Sequence, residues 1–87
     1  MANIKSAMKR AQVAQVRTKR NAAYKSMMKT AIRRFENALQ SGDLDEAKIM
    51  LAKATRMIDK VRTKGVIHKN TADRKKSRLA KALNRAS

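Results

Sequence analysis

The sequence predicts an all-α protein, an up-down-up bundle of three helices in which a long N-terminal helix overhangs the other two. Three observations support this fold class. The 87 residues include no proline and only two glycines, and they are rich in Ala, Lys, Arg and Met, which favour helices. Apolar residues recur at three- and four-residue steps, and turn signals interrupt the pattern at two places. The length suits a single small domain, residues 1–87.

Helix one is predicted from Ile4 to Gln40, because neither glycine nor proline interrupts it before the turn residues 41–43. In its second half one apolar stripe contains Tyr24, Met28, Ala31, Ile32, Phe35, Ala38 and Leu39. Extended towards the N-terminus, the same stripe meets Arg17 and then Arg10. We therefore expect the packed part of this helix to end near Ala22.

Helix two is predicted from Leu44 to about Thr63, with Asp43 as its N-cap and Glu46 bonding back in a variant capping box. Its apolar residues give the clearest amphipathic pattern in the chain: Leu44, Ala47, Leu51, Ala54, Ile58 and Val61. Gly65 is expected to end it, with Val66 and Ile67 folding back as the apolar partners of a Schellman-type cap.

Helix three is predicted from about Thr71 to Arg85, with Asn70 as its cap and Ala72, Leu79 and Leu83 on its apolar face. Short connections make successive helices antiparallel neighbours. At a rise of 1.5 Å per residue, helix two spans about 30 Å and helix one about 54 Å. Residues 1–20 are therefore expected to form a helical basic extension beyond a bundle of residues 21–87.

The charge of the chain is strongly unbalanced. It carries 23 Lys and Arg against 6 Asp and Glu, a formal net charge of +17. Residues 1–35 hold ten basic and no acidic side chains, residues 36–59 three basic and five acidic, and residues 60–87 ten basic and one acidic. Self-repulsion at this charge destabilises a compact fold unless a polyanion offsets it. The sequence therefore predicts a nucleic-acid-binding protein.

The predicted phosphate contacts form three groups, in which each cation neutralises a phosphate and releases counterions. A stripe on helix three, opposite the apolar face, follows the steps i, i+4, i+7 and i+11: Arg74, Arg78, Lys81 and Arg85. A row on helix one lies beside the core stripe: Lys25, Lys29 and Arg33. The third group surrounds the extension: Lys5, Lys9, Arg10, Arg17, Lys19 and Arg20.

Other residue types narrow the function classes. Without cysteine the chain has no disulfide framework, thiolate nucleophile or cysteine-ligated zinc, and His68 has no second histidine with which to share a metal. We expect no metal, cofactor, small-molecule substrate or catalysis. His68 is interpreted either as a phosphate contact in a turn or as a solvated residue. The lack of a membrane-length apolar run and of a leader-like N-terminus favours a cytoplasmic protein, mature as written.

The only aromatic residues, Tyr24 and Phe35, lie on the core stripe, so we expect them to pack there and not to stack on bases. This argues against an RNA-recognition sheet, which needs exposed aromatic residues on strands. Four methionines are interpreted as adaptable core filler: Met27, Met28, Met50 and Met57.

Across nearly its full length the chain resembles the S-twenty family of bacterial small-subunit ribosomal proteins. The similarity lies in the opening residues 1–7, in Lys25-Ser26 and Lys29-Thr30, in Phe35 and Ala38, and in Gly42-Asp43. The most specific stretch is Lys64-Gly65-Val66-Ile67-His68-Lys69-Asn70, followed by Ala72, Arg74-Lys75-Lys76-Ser77-Arg78-Leu79 and Ala80-Lys81.

The resemblance implies a three-helix bundle that binds 16S ribosomal RNA directly and early in assembly, at the five-prime domain and at the long stem near the three-prime end. It implies few or no contacts with other proteins. Further RNA-contact candidates in the specific stretch are Lys64, Lys69, Asn70, Lys75 and Lys76. From the residues alone, two alternatives remain open: a nucleoid-associated DNA-binding protein and an amphipathic protein that binds anionic membranes.

Overall fold

The computed structural model describes residues 3–87, which form three helices and no strand. Helix α1 runs over Asn3–Gln40, α2 over Leu44–Thr63 and α3 over Lys69–Ala86. The molecule measures 64 × 21 × 14 Å. Its long dimension follows from α1, whose 38 residues span about 57 Å at 1.5 Å per residue. The predicted all-α architecture is confirmed.

The turn between α1 and α2 forms where the sequence predicts it. Gly42 adopts a left-handed φ of +79°, which residues with a side chain rarely take, and its N–H donates to the Leu39 carbonyl at 3.1 Å. Asp43 then caps α2, since its Oδ1 accepts the Glu46 N–H at 3.1 Å. In the described residues Glu46 makes no reciprocal side-chain bond, so only half of the expected capping box is present.

The expected Schellman-type end of α2 is confirmed. Gly65 has a φ of +76°. Its N–H donates to the Arg62 carbonyl at 2.8 Å, and the Val66 N–H donates to the Val61 carbonyl at 3.1 Å. Val66 and Ile67 are half-buried and pack against the core. This turn therefore brings the chain back along α2.

The start of α3 differs from the prediction that Asn70 caps it. The helix begins at Lys69, and the N-cap is His68, whose backbone is extended at φ −74° and ψ 152°. The Nδ1 atom of His68 accepts the Asn70 N–H at 3.1 Å. The expected cap was wrong because the helix starts two residues earlier, which places Asn70 inside the first turn with its N–H in need of an acceptor.

The hydrophobic core is small, and four of its nine buried residues are alanine: Met28, Phe35, Ala38, Ala47, Ala54, Ile58, Val61, Ala72 and Leu79. Tyr24 is half-buried against this cluster, so both aromatic residues pack in the core as expected. Met50 and Met57 also border it. Met27 does not, since 48% of it is exposed; it lies about 100° around α1 from Met28, beside the packed face.

Helix α2 lies at the centre of the bundle. Both α1 and α3 pack on it, whereas α1 and α3 make little contact with each other. The first half of α1 extends past the end of α2, and most cations of α1 and α3 are exposed, except for the half-buried Lys75 and Lys76.

Candidate nucleic-acid interface

The N-terminal part of α1 is a helix without a packing partner in the chain. Residues 4–20 are all exposed, and burial along α1 begins at Asn21, which agrees with the expected end of packing near Ala22. Its six predicted phosphate contacts are all exposed: Lys5, Lys9, Arg10, Arg17, Lys19 and Arg20. No acidic residue lies among them. This segment, residues 4–20, is called the extension below.

The face of the extension that continues the core stripe is lined by arginine and small side chains. A shallow groove there is lined by Ser6, Lys9, Arg10, Val13, Ala14 and Arg17. Arg10 and Arg17 occupy the positions that Tyr24 and Met28 occupy in the packed half. An anionic chain that lies along this groove would meet cations where a protein helix would need apolar groups.

The second predicted group, on the packed half of α1, is also exposed. Lys25, Lys29 and Arg33 lie on the solvent side, away from buried Met28 and Phe35. Together with three small side chains they line a shallow groove: Ala22, Ser26 and Thr30. The small residues would leave room for a phosphate backbone to approach the helix surface closely, with the three cations beside it.

The third group, the α3 stripe, is exposed along its whole length. The burial pattern shows all four residues exposed: Arg74, Arg78, Lys81 and Arg85. In helical projection they lie opposite the buried Ala72 and Leu79, as the periodicity predicts. The cations follow one another about every 4.5 to 6 Å along the helix axis. Arg74 Nε also donates to the Asn70 carbonyl at 3.4 Å, which directs that guanidinium towards the start of α3.

The turn between α2 and α3 adds exposed polar groups at one end of the bundle: Lys64, His68, Lys69 and Asn70. Because His68 Nδ1 accepts a hydrogen bond, the neutral ring carries its proton on Nε2. The exposed Nε2–H can donate to a phosphate oxygen while Nδ1 caps the helix. The sequence left two interpretations of His68 open, a phosphate contact or a solvated residue. The structure adds a further role, since His68 caps α3.

Lys75 and Lys76 differ from the other candidates because they are half-buried. Lys76 Nζ lies 2.8 Å from Asp59 Oδ1 on α2 and 3.8 Å from Asp73 Oδ1 on its own helix. The structure thus places Lys76 in a partly exposed ion cluster between α2 and α3, apart from the α3 stripe.

Two further residues have features that the sequence analysis did not use. Arg34 is exposed and lines a groove between α1 and α2 together with Lys53 and Met27. Because Arg34 is adjacent to the predicted contact Arg33, the sequence could have indicated it as a further basic surface residue. Asn21 has a buried Oδ1 without a hydrogen-bond partner in the described residues, where the extension meets the bundle. A buried acceptor is normally hydrogen-bonded to a donor. The sequence could not indicate this feature, because a single Asn within a helix does not reveal whether its side chain is buried.

The acidic residues lie mainly at the far end of the bundle from the extension. Asp43, Asp45 and Glu46 belong to the α1–α2 turn and the first turn of α2, where they also complement the helix dipole. Within residues 3–87 no group of three His, Cys, Asp or Glu side chains could hold a metal ion. No helix in that range is long and apolar enough to cross a membrane.

These features define an elongated, highly basic, all-helical protein with its cations on exposed helix faces. Residues 2–84 match the family described as Ribosomal protein S20. The chain is 55% identical over 86 residues to the small ribosomal subunit protein bS20 of Heliobacterium modesticaldum, covering 99% of this chain and 98% of that protein. It is 58% identical over 85 residues to the bS20 protein of Pelotomaculum thermopropionicum, covering 98% and 97%.

A third relative, the bS20 protein of Desulfitobacterium hafniense, is 60% identical over 81 residues, covering 93% of this chain and 89% of that protein. The chain therefore belongs to the ribosomal protein S20 family and is a structural constituent of the small ribosomal subunit. The resemblance found in the sequence is confirmed.

Proposed function

We propose that the protein binds 16S ribosomal RNA directly, through phosphate contacts, and stabilises the fold of that RNA while the small subunit assembles. The observation that carries this proposal is the extension, a helix of 17 exposed residues with six cations and no carboxylate. Such a helix gains nothing from packing and repels itself, so a polyanion is the partner that would stabilise it.

The three groups of cations engage different parts of one folded RNA. Because α1 and α3 flank α2, the α1 row and the α3 stripe face different directions, and the extension carries a third group beyond the bundle. The resemblance favours the five-prime domain and the long stem near the three-prime end as the RNA segments involved. Specificity arises from the shape of the RNA, which must meet several basic surfaces at once.

We infer that residues 1–87 act as one RNA-binding domain on the ribosome, in the cytoplasm, with residues 1–20 as a helical basic segment ahead of a bundle of residues 21–87. The protein works without cofactor, metal or small-molecule substrate, performs no catalysis, does not bind membranes and makes few contacts with other proteins. The candidate contacts are those predicted from the sequence, including Lys64, Lys69, Asn70 and Lys75, with His68 donating from Nε2.

The proposal is tested by titrating the full-length protein with 16S rRNA, an unrelated folded RNA and duplex DNA of equal phosphate content over a series of salt concentrations. We expect log K to fall linearly with log salt for every polyanion, since phosphate contacts release counterions. We also expect 16S rRNA to bind most tightly at every salt concentration. Equal affinity for the DNA duplex would contradict RNA binding and favour the nucleoid alternative.

A further inference from the structure

The C-terminal half of the chain contains two carboxylates, and both approach the same ammonium group. From residue 47 to residue 87 the acidic residues are Asp59 and Asp73. Asp59 Oδ1 accepts a hydrogen bond from Lys76 Nζ at 2.8 Å, and Asp73 Oδ1 lies 3.8 Å from that nitrogen. The Lys76 side chain is 28% exposed. In residues 3–87, Lys76 is the one cation paired with a carboxylate.

The cluster supports the contact between α2 and α3, and that contact is weak. Helix α3 buries only Ala72 and Leu79 completely, with Ala82 and Leu83 partly buried, and it makes little contact with α1. The second half of α2 carries several cations of its own, and Asp59 is its only acidic residue. The attraction between the charged groups of α2 and α3 therefore depends on Asp59.

Lys76 and the α3 stripe lie on nearly opposite faces of α3. Two residues along a helix correspond to 200°, so Lys76 lies about 160° around α3 from Arg78. Fixing the Lys76 ammonium against α2 turns the α3 stripe towards solvent. Rotation of α3 about its axis would break the 2.8 Å bond to Asp59 and would move the stripe towards the side of α2.

We propose that Lys76 is a positioning residue, held by Asp59 and Asp73, which fixes the rotation of α3 so that the α3 stripe faces RNA. It does not itself bind a phosphate. This inference rests on the proposed RNA-binding function and replaces the sequence-based assignment of Lys76 as an RNA contact. The cluster holds two carboxylates and one ammonium, so a phosphate at Lys76 would also face their net negative charge.

The first test uses the direction of the effect when a negative charge is removed. Asp59→Asn raises the net charge of the protein, so electrostatics alone predicts tighter RNA binding, and so does release of Lys76 to bind a phosphate. Positioning predicts the reverse, a loss of about two- to fivefold in affinity for 16S rRNA, the size of one exposed ion pair. The matched control Asp45→Asn removes an exposed charge outside the cluster and should not weaken binding. Binding by Asp59→Asn as tight as that of the control would overturn the proposal.

The second test compares salt dependence in the full-length protein. Arg78→Gln should flatten the slope of log K against log salt by about 0.7 to 0.9, the value for one lost phosphate contact. Lys76→Gln should lower affinity by about two- to fivefold and leave the slope equal to that of the charge-matched control Lys48→Gln. A slope loss for Lys76→Gln equal to that for Arg78→Gln would refute the positioning role of Lys76 but not the proposed RNA-binding function. An unchanged slope for Arg78→Gln would instead count against the phosphate contacts of the α3 stripe in the proposed function.

A third measurement reports on α3 directly. Hydrogen exchange of the α3 amides in the complex with 16S rRNA should quicken in Asp59→Asn and in Lys76→Gln, and Lys76→Arg should restore protection because it keeps the ion pair. The double variant should exchange no faster than either single variant, since both remove the same interaction. Additive effects of the two substitutions would show that the residues act independently and would overturn the proposal.

Discussion

The two halves of α1 belong to one continuous helix, yet they depend on different partners. From Tyr24 to Leu39 an apolar stripe packs against α2, and Phe35 within it is completely buried. In the extension the same face carries Arg10 and Arg17, and every residue is exposed. The comparison shows that helix formation and burial are specified separately. The composition favours helix throughout α1, whereas the length of α2 decides where packing stops.

The packed half should be sensitive to truncation of its apolar residues, and the extension should not. Replacing Phe35 with Ala is expected to lower the free energy of unfolding by about 3 to 5 kcal/mol, because it leaves a cavity in a core of few large residues. Val16, which is 66% exposed, is the control, and Val16→Ala should change stability by less than about 0.5 kcal/mol. Denaturant unfolding followed by circular dichroism measures both. Similar losses would mean that the extension contributes to the fold of the free protein.

Removal of residues 1–20 should affect RNA binding and spare the bundle. The six cations lost predict a slope of log K against log salt that is flatter by about 4 to 5, with thermal unfolding of the remainder nearly unchanged. A full-length chain with those six residues replaced by Gln should reproduce the change in slope if charge is responsible. Loss of cooperative unfolding in the truncated chain would show that the packed part of α1 does not end near Ala22.

The α3 stripe offers a smaller change of the same kind on the packed part of the molecule. Replacing Arg74, Arg78, Lys81 and Arg85 with Gln should flatten the salt slope by about 3, and affinity should fall for cognate and unrelated RNA alike. The control removes equal charge from exposed positions of α2 that are not candidate contacts: Lys48, Lys53, Arg56 and Lys60. A loss confined to cognate RNA would mean that the stripe contacts bases.

The smallest effect is expected at the start of α3. His68→Ala removes the acceptor of the Asn70 N–H and should lower the free energy of unfolding by about 1 kcal/mol. His68→Asn should retain most of that stability, since Asn is a preferred N-cap, while removing the ring Nε2–H proposed to donate to phosphate. Thermal unfolding and RNA titration of the two variants separate the roles. A His68→Ala variant as stable as the wild-type protein would show that the cap contributes nothing.

The features predicted correctly from the sequence are those that local chemistry determines. Gly42 and Gly65 mark the two turns because each takes a positive φ, and the Asp43 cap requires only residues close to it in the chain. The apolar periodicity is also a local property of the chain. It predicted the amphipathic pattern of α2 and the packing of both aromatic residues against the core. Errors arose where two local solutions compete. His68 and Asn70 can each cap a helix, and a difference of two residues in the start of α3 decides between them.

Tertiary relations account for what the sequence did not predict. Asp59 and Lys76 are 17 residues apart, and no helical or turn spacing brings them together. The near absence of contact between α1 and α3 likewise depends on how each packs around α2. The ion pair of Lys76 with Asp59 could therefore not be predicted from the sequence, and Met27 was assigned to the core on residue type alone. In both cases the deciding quantity is the rotation of a helix against its neighbour.

The continuity of α1 has a mechanical consequence. No glycine or proline interrupts the helix between the bundle and the extension, so the two form one rod once a polyanion stabilises the extension. The extension projects about 25 Å past the bundle, and a tilt of about 10° at the bundle displaces its tip by about 4 Å. Small differences in how the bundle lies on its partner are thus magnified at the tip. In the proposed function, the N-terminal cations engage RNA only when the bundle has docked at the correct angle, so the rod couples two distant contacts.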